Sequence, residues 1–162
     1  LRTYGDQFEK KVSYLNEWAR HPAYDDYWKQ RGIDHRYADV TVPALNIGGW
    51  YDIFAKNTIE LTTSVRAKSR SERARNGQFV IMGPWTHGVG ARKVGELDFG
   101  AEAELKVNDL QFQWFEHWLK GRKNAVQYWS PYYLFVMGDN KWRHENEWPL
   151  QRTPFTPYPL HR

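Results

Sequence analysis

Phe8, Val12, Leu15 and Trp18 recur at spacings of four, three and three, which lines one face of a helix. His21-Pro22 ends that helix, because proline removes a donor and restricts the residue before it. Tyr24 to Arg31 predicts a second short helix, with Asp25 and Asp26 in its first turn, where carboxylates favour the dipole. The period then changes. Val40 to Ile47 is β-rich and bounded by Gly48-Gly49, a buried strand whose ladder begins after Pro43. Asp52 to about Arg70 predicts a helix with Phe54, Ile59, Leu61 and Val65 apolar. Asn76-Gly77 predicts a turn, and Gln78 to Met82 the next strand. Strand, helix and strand make a βαβ unit, which implies parallel pairing. Ala101 to Lys120 is a fourth helix, with Val107, Leu110, Trp114, Phe115, Trp118 and Leu119 on one stripe. Gly121 stands where a left-handed cap belongs. Beyond Asn124 the helical period is lost. Tyr132 to Gly138 reads as a strand, so a boundary near 124–131 and the opening of a β domain are expected.

Composition narrows the field. The 162 residues form one domain by length, enough to bury a core. Aromatic residues reach 17%, with 9 Trp and 10 Tyr, which suits either a wide pocket or a bulky interior. The absence of cysteine excludes disulfides, thiol catalysis and thiolate metal sites. No apolar run approaches the ~18 residues that span a bilayer, so no membrane partner is expected. The compartment stays open between cytoplasm and export. Arg66, Lys68, Arg70, Arg73 and Arg75 carry most of the net charge of +4. With no interleaved aromatics they read as a solvated helix end, not as a nucleic-acid surface. The six histidines show no His-Glu-x-x-His and no pair at i, i+4, so neither a metal nor another cofactor is expected.

Two stretches carry the chemistry. Gly48-Gly49-Trp50-Tyr51-Asp52 and Gly83-Pro84-Trp85-Thr86-His87-Gly88 each end a strand-like run and then present a carboxylate or an imidazole. Acid before histidine is the chain order of an α/β-hydrolase triad. The separation of 35 residues (87 − 52) holds one crossover helix and a strand, which places both groups on neighbouring loops at one end of a sheet. There the carboxylate accepts Nδ1–H and the other ring nitrogen takes a serine proton. Alternatively, Asp52 caps the helix that follows and His87 is a polar loop residue. Trp50, Tyr51 and Trp85 either wall an acyl pocket or pack beneath the loops. No serine lies in a Gly-x-Ser-x-Gly elbow.

These blocks have company. His21-Pro22-Ala23-Tyr24-Asp25-Asp26-Tyr27-Trp28, Val42-Pro43-Ala44-Leu45, Asp98-Phe99-Gly100, Trp114-Phe115-Glu116-His117-Trp118-Leu119-Lys120-Gly121 and Val136-Met137-Gly138-x-Asn140-x-Trp142-Arg143 follow in order. Together with the Asp52 and His87 stretches they resemble the X-Pro dipeptidyl-peptidase group, with its relatives cocaine esterase, glutaryl-7-ACA acylase and α-amino acid ester hydrolase. Asn57 stands where that group more often has Gly.

The resemblance implies an α/β fold: the C-terminal half of an α/β-hydrolase, with its parallel sheet flanked by helices. Residues 1–38 would end a helical cap, 39–124 would complete the catalytic core, and 125–162 would open a C-terminal β jelly-roll. Asp52 becomes the triad acid and His87 the base. The nucleophile and an oxyanion-hole Tyr belong to an upstream segment of the same protein, so this chain alone should be inactive. The implied substrate is a small ester, an amide or a short peptide. In the amino-acid-ester branch, carboxylates hold the substrate ammonium, a role open to Asp25 and Asp26 beside their role at the helix start. Self-association is left open. The rival reading is a non-catalytic carbohydrate- or protein-binding module, favoured if Asp52 and His87 lie apart.

Overall fold

The computed structural model describes residues 11–159; Phe8 of the first predicted helix lies outside them. The chain divides into two compact units, one ending at Tyr37 and the other beginning at Ala38.

The first unit holds two short helices, α1 (Ser13–Ala19) and α2 (Asp26–Arg31). Asp25 is the N-cap of α2. Its Oδ1 accepts the Tyr27 N–H at 3.0 Å, and its Oδ2 lies 2.6 Å from His21 Nδ1. The His21 ring stacks on Tyr27 with centroids 4.1 Å apart, and the Trp28 indole donates to the His21 carbonyl at 2.7 Å. The turn around Pro22 is thereby tied to the helix it precedes.

In the second unit a four-stranded sheet runs in the order β1-β2-β5-β6, with β1 (Ala44–Gly49), β2 (Gln78–Gly83), β5 (Tyr132–Val136) and β6 (Lys141–Glu145). A two-residue hairpin, β3 (Lys93–Val94) and β4 (Leu97–Asp98), stands apart from it. The expected βαβ unit is present. β1 pairs with β2 in parallel from Ala44↔Gln78 to Gly49↔Gly83, and α3 (Ala55–Lys68) connects them by way of the short α4 (Glu72–Asn76).

A strand buried on both faces must be apolar throughout. β2 meets this demand at every position but Gln78 and is buried at all six. Its Val80 and Met82 pack with Ile59 of α3, Tyr132 and Leu134. Its alternate residues face the other way: Phe79 packs with Trp114 and Val126, and Ile81 with Trp85 and Val107. Two polar side chains inside this core are satisfied, as burial requires, whereas the buried Trp118 indole N–H has no partner among the described residues. Asn46 Nδ2 donates to Thr62 Oγ1 and to the Phe79 carbonyl, and Gln78 Nε2 donates to the Val42 carbonyl.

Two expectations are corrected here. The sheet does not stop at residue 124. β5 pairs in parallel with β2 through Val80↔Tyr132, Ile81↔Tyr133 and Met82↔Leu134, and β6 returns antiparallel to it. Residues 132–145 therefore extend the sheet of β1 and β2, where a separate jelly-roll was expected from residue 125. The loss of helical period marked the end of α5 (Val107–Lys120), not the end of a domain. The stripe along α5 also splits. Val107 and Trp114 are buried, whereas Phe115 and Leu119 are 53% and 76% exposed. Each follows a sheet-facing residue by one position, a rotation of about 100° on a 3.6-residue helix. Glu116 takes the buried place, paired with Lys120 and Arg122, which hold its carboxyl below the usual range, Lys120 foremost. Gly121 ends the helix at φ 66°, with its N–H on the His117 carbonyl at 3.0 Å, as its position predicted.

Of the arginines in and after α3, two act on backbone and one on a carboxylate. Arg66 donates to the carbonyls of Arg75 and Gln78, Arg75 donates to the carbonyl of Ser69, and Arg70 pairs with Asp39 at 3.0 Å.

Candidate active site

At the carboxyl ends of β1 and β2 the two strands come together at glycines. A Cβ on Gly49 would stand 2.0 Å from the Trp85 carbonyl oxygen, and one on Gly83 would stand 2.3 Å from the Trp85 ring. Only hydrogen fits at either place. The ladder continues past the strands, since Trp50 N–H donates to the Gly83 carbonyl and Tyr51 N–H to the Trp85 carbonyl, both at 2.9 Å. The loop carrying Asp52 is thus bonded to the loop carrying His87.

The side chains meet. His87 Nδ1 lies 3.0 Å from Asp52 Oδ2 across 35 residues of sequence. An ionised carboxylate only accepts, so the imidazole donates from Nδ1, and in the neutral ring Nε2 is then the acceptor. Asp52 Oδ1 is occupied separately by the Phe54 N–H at 3.0 Å, a turn in which a carboxylate bonds backbone two residues on. The Asp52 side chain is 6% exposed, and that of His87 is 80% exposed. The Phe54 N–H foremost, and then the His87 ring, hold the Asp52 carboxyl below its ordinary range against the opposing effect of burial. One partner is fixed and charged; the other presents an open ring nitrogen.

Asp52 does not serve as the N-cap of the following helix. α3 begins at Ala55, with Phe54 at its N-cap and no side-chain bond there.

The aromatic neighbours divide. Trp85 is fully buried, its indole N–H donating to the Ala103 carbonyl at 3.1 Å, so it packs beneath the loops and walls no pocket. Trp50 and Tyr51 are the two central residues of a turn closed by the Asp52 N–H on the Gly49 carbonyl at 3.1 Å, and their rings have different neighbours, Trp148 and Phe99. Trp50 donates to the Phe135 carbonyl at 2.8 Å and, with Trp148, lines a groove of about 410 Å³ along α3 that includes neither Asp52 nor His87. Tyr51 remains 43% exposed, its ring 5.9 Å from that of Phe99. Asp25 and Asp26 belong to the first unit. Asp25 is taken up by the Tyr27 N–H and His21, while Asp26 pairs with Lys29 at 3.1 Å and keeps its side chain 87% exposed.

Phe54 was missed. Besides its N–H on Asp52, its ring meets that of His87 edge-on, with centroids 5.6 Å apart. The signal was there, because an Asp favours a turn closed by the N–H two residues on. The helical period obscured it by counting Phe54 as an inward position.

Comparison with known proteins bears on the same residues. A model of the X-Pro dipeptidyl-peptidase (S15) family matches residues 2–89, a stretch containing both Asp52 and His87. A cocaine esterase from Rhodococcus sp. (strain MB1 Bresler) is 32% identical over 149 residues, covering 90% of this chain and 25% of that protein. A putative serine esterase of Mycobacterium tuberculosis (strain CDC 1551 / Oshkosh) is 30% identical over 82 residues, 48% of this chain and 12% of that protein. The crystal structure of an aminopeptidase from a marine sediment Thaumarchaeota archaeon superposes with TM-score 0.68 at 25% identity, over 87% of this chain and 23% of that one. A CocE/NonD family hydrolase from Staphylococcus aureus shares the fold at TM-score 0.60 and 16% identity, over 88% of this chain and 23% of that one. The chain thus spans a quarter or less of the length of these proteins. Because the family match covers more than half of its residues, this chain belongs to the X-Pro dipeptidyl-peptidase (S15) family.

Proposed function

We propose that this chain is the acid- and base-bearing part of a serine hydrolase that cleaves esters or amides. The observation that carries the reading is the 3.0 Å contact between Asp52 and an imidazole whose other nitrogen is open. In this scheme a serine on another segment of the protein approaches Nε2. His87 takes its proton as the oxygen attacks the carbonyl carbon, and the carbonyl π electrons move onto oxygen. Collapse of that oxyanion breaks the bond to the leaving group, which leaves with the proton from His87. Water then repeats the sequence on the acyl-serine. Asp52 keeps the ring in the Nδ1–H form and stabilises the imidazolium.

The sheet supports an origin in a larger hydrolase fold. β1 has no ladder partner on its outer side among the described residues, and its sequence Ala-Leu-Asn-Ile-Gly-Gly carries no charge. Exposed edges usually bear lysines, prolines or bulges that block pairing. A bare edge suits an interior strand, and the nucleophile-bearing segment would add its strands there. A non-catalytic module gains nothing from the Asp52–His87 contact, and no other observation favours one.

Mixing this chain with an activated ester should give no stoichiometric burst. A burst should appear once a segment carrying a Gly-x-Ser-x-Gly turn is joined to it. A burst from this chain alone would remove the claim that the nucleophile lies elsewhere.

A further inference from the structure

Two indoles on distant segments grip one turn behind the site. Trp85, two residues before His87, donates to the Ala103 carbonyl at 3.1 Å. Trp142, on β6, donates to the neighbouring Glu102 carbonyl at 2.6 Å. The two rings lie 5.6 Å apart, over the 3₁₀ turn Ala101–Ala103. Ala103 is fully buried.

That turn is where the loop beginning at His87 returns. Leu105 N–H closes the loop on the Gly90 carbonyl at 3.1 Å, and Phe99, 8% exposed, packs on Phe135 and against Tyr51. Trp85 is also the residue whose carbonyl receives the Tyr51 N–H, one position before Asp52. A continuous set of hydrogen bonds therefore runs from Trp142 through the turn to Trp85, and from Trp85 to the backbone of the acid loop.

We infer that Trp142 is a positioning residue for the Asp52–His87 pair, acting through the Ala101–Ala103 turn and Trp85. His87 is 80% exposed, so its ring is held from only a few sides: the Asp52 carboxylate, the edge of Phe54 and its own backbone. The direction of that backbone is set at Trp85. An indole N–H aimed at a carbonyl fixes direction as well as distance, which apolar packing alone does not. If the turn is released, Trp85 loses its fixed partner, and the short Nδ1–H contact on Asp52 is the first geometry to loosen. The inference rests on the reading of Asp52 and His87 as a hydrogen-bonded pair.

Long-range ¹H–¹⁵N correlation spectra of the 162-residue chain read the His87 tautomer directly. The wild-type chain should show the Nδ1–H form with a downfield Nδ1–H resonance. Trp142→Phe keeps the ring contacts and removes one donor. It should lose the downfield resonance and move His87 toward the Nε2–H form that a free histidine side chain prefers, while far-ultraviolet circular dichroism stays unchanged. Trp85→Phe should do the same. Trp129→Phe, a change in the separate cluster with Phe79 and Trp114, should leave the tautomer alone. If the wild-type chain itself lacks the Nδ1–H form, the pair does not exist, and both the proposed function and this inference fall. A wild-type chain that shows it, with folded W142F and W85F variants that retain it, overturns the positioning role alone. A tautomer change in W129F equal to that in W142F does so too, since any core loss would then suffice.

Discussion

Replacing Asp52 by Asn in the complete enzyme should lower turnover about 10⁴-fold, roughly 5.4 kcal/mol of transition-state stabilisation, with KM nearly unchanged. The amide is isosteric, so its oxygen can still accept the Phe54 N–H now held by Oδ1. Its Nδ2–H₂ then faces His87 and favours the tautomer with the acceptor on Nδ1. Nε2 becomes the protonated nitrogen and can no longer take a serine proton. A loss below about tenfold would mean that Asp52 is not the acid, and kcat against KM by steady-state kinetics decides it.

Acid should act on the same contact. The Asp52 carboxyl titrates below its ordinary range in the folded chain, so the ionised form is favoured by folding. Its contribution to stability is then fully present above the unfolded value of about 3.9, and it disappears as pH falls through the lower folded value. A pH–rate profile should accordingly show no limb belonging to Asp52 above about pH 4. One that does would contradict the lowered carboxyl.

The largest loss of stability should come from Trp85→Ala. A fully buried indole replaced by a methyl leaves a cavity and an unpartnered Ala103 carbonyl, about 3–5 kcal/mol by comparison with other large aromatic truncations. Against a total near 5–15 kcal/mol for an ordinary domain, that is a large fraction. Urea unfolding of the 162-residue chain measures it, and a loss under about 1 kcal/mol would show that the ring is not packed as described. The vacated space lies beside Gly49 and Gly83, whose missing side chains are what admit Trp85. The site depends on this close approach, because the Trp85 carbonyl accepts the Tyr51 N–H only where the two strand ends nearly touch.

Asp52 and His87 were legible from residue types and spacing, because a crossover helix and a strand between them leave few places for their loops to go. The βαβ unit was legible for the same reason: continuous apolar runs around a helical period have one compact arrangement. Trp85 was harder to judge. A Trp beside a histidine reads equally well as a pocket wall or as packing, and only the glycine gap at Gly83 settles which way the indole turns. Trp50 and Tyr51 were assigned together, although the turn that carries them past the end of β1 gives one ring to Trp148 and the other to Phe99.

What local order determined, therefore, was the set of elements and the chemistry at their ends, since periodicity and turn residues act over a few positions. What tertiary structure decided was everything that joins distant segments. The pairing of β5 with β2 keeps residues 132–145 in the sheet, and the two indoles meet on one turn although Trp85 and Trp142 lie on either side of α5. Hydrogen bonds between remote backbone groups leave no periodic trace in a sequence, because any residue can supply a carbonyl.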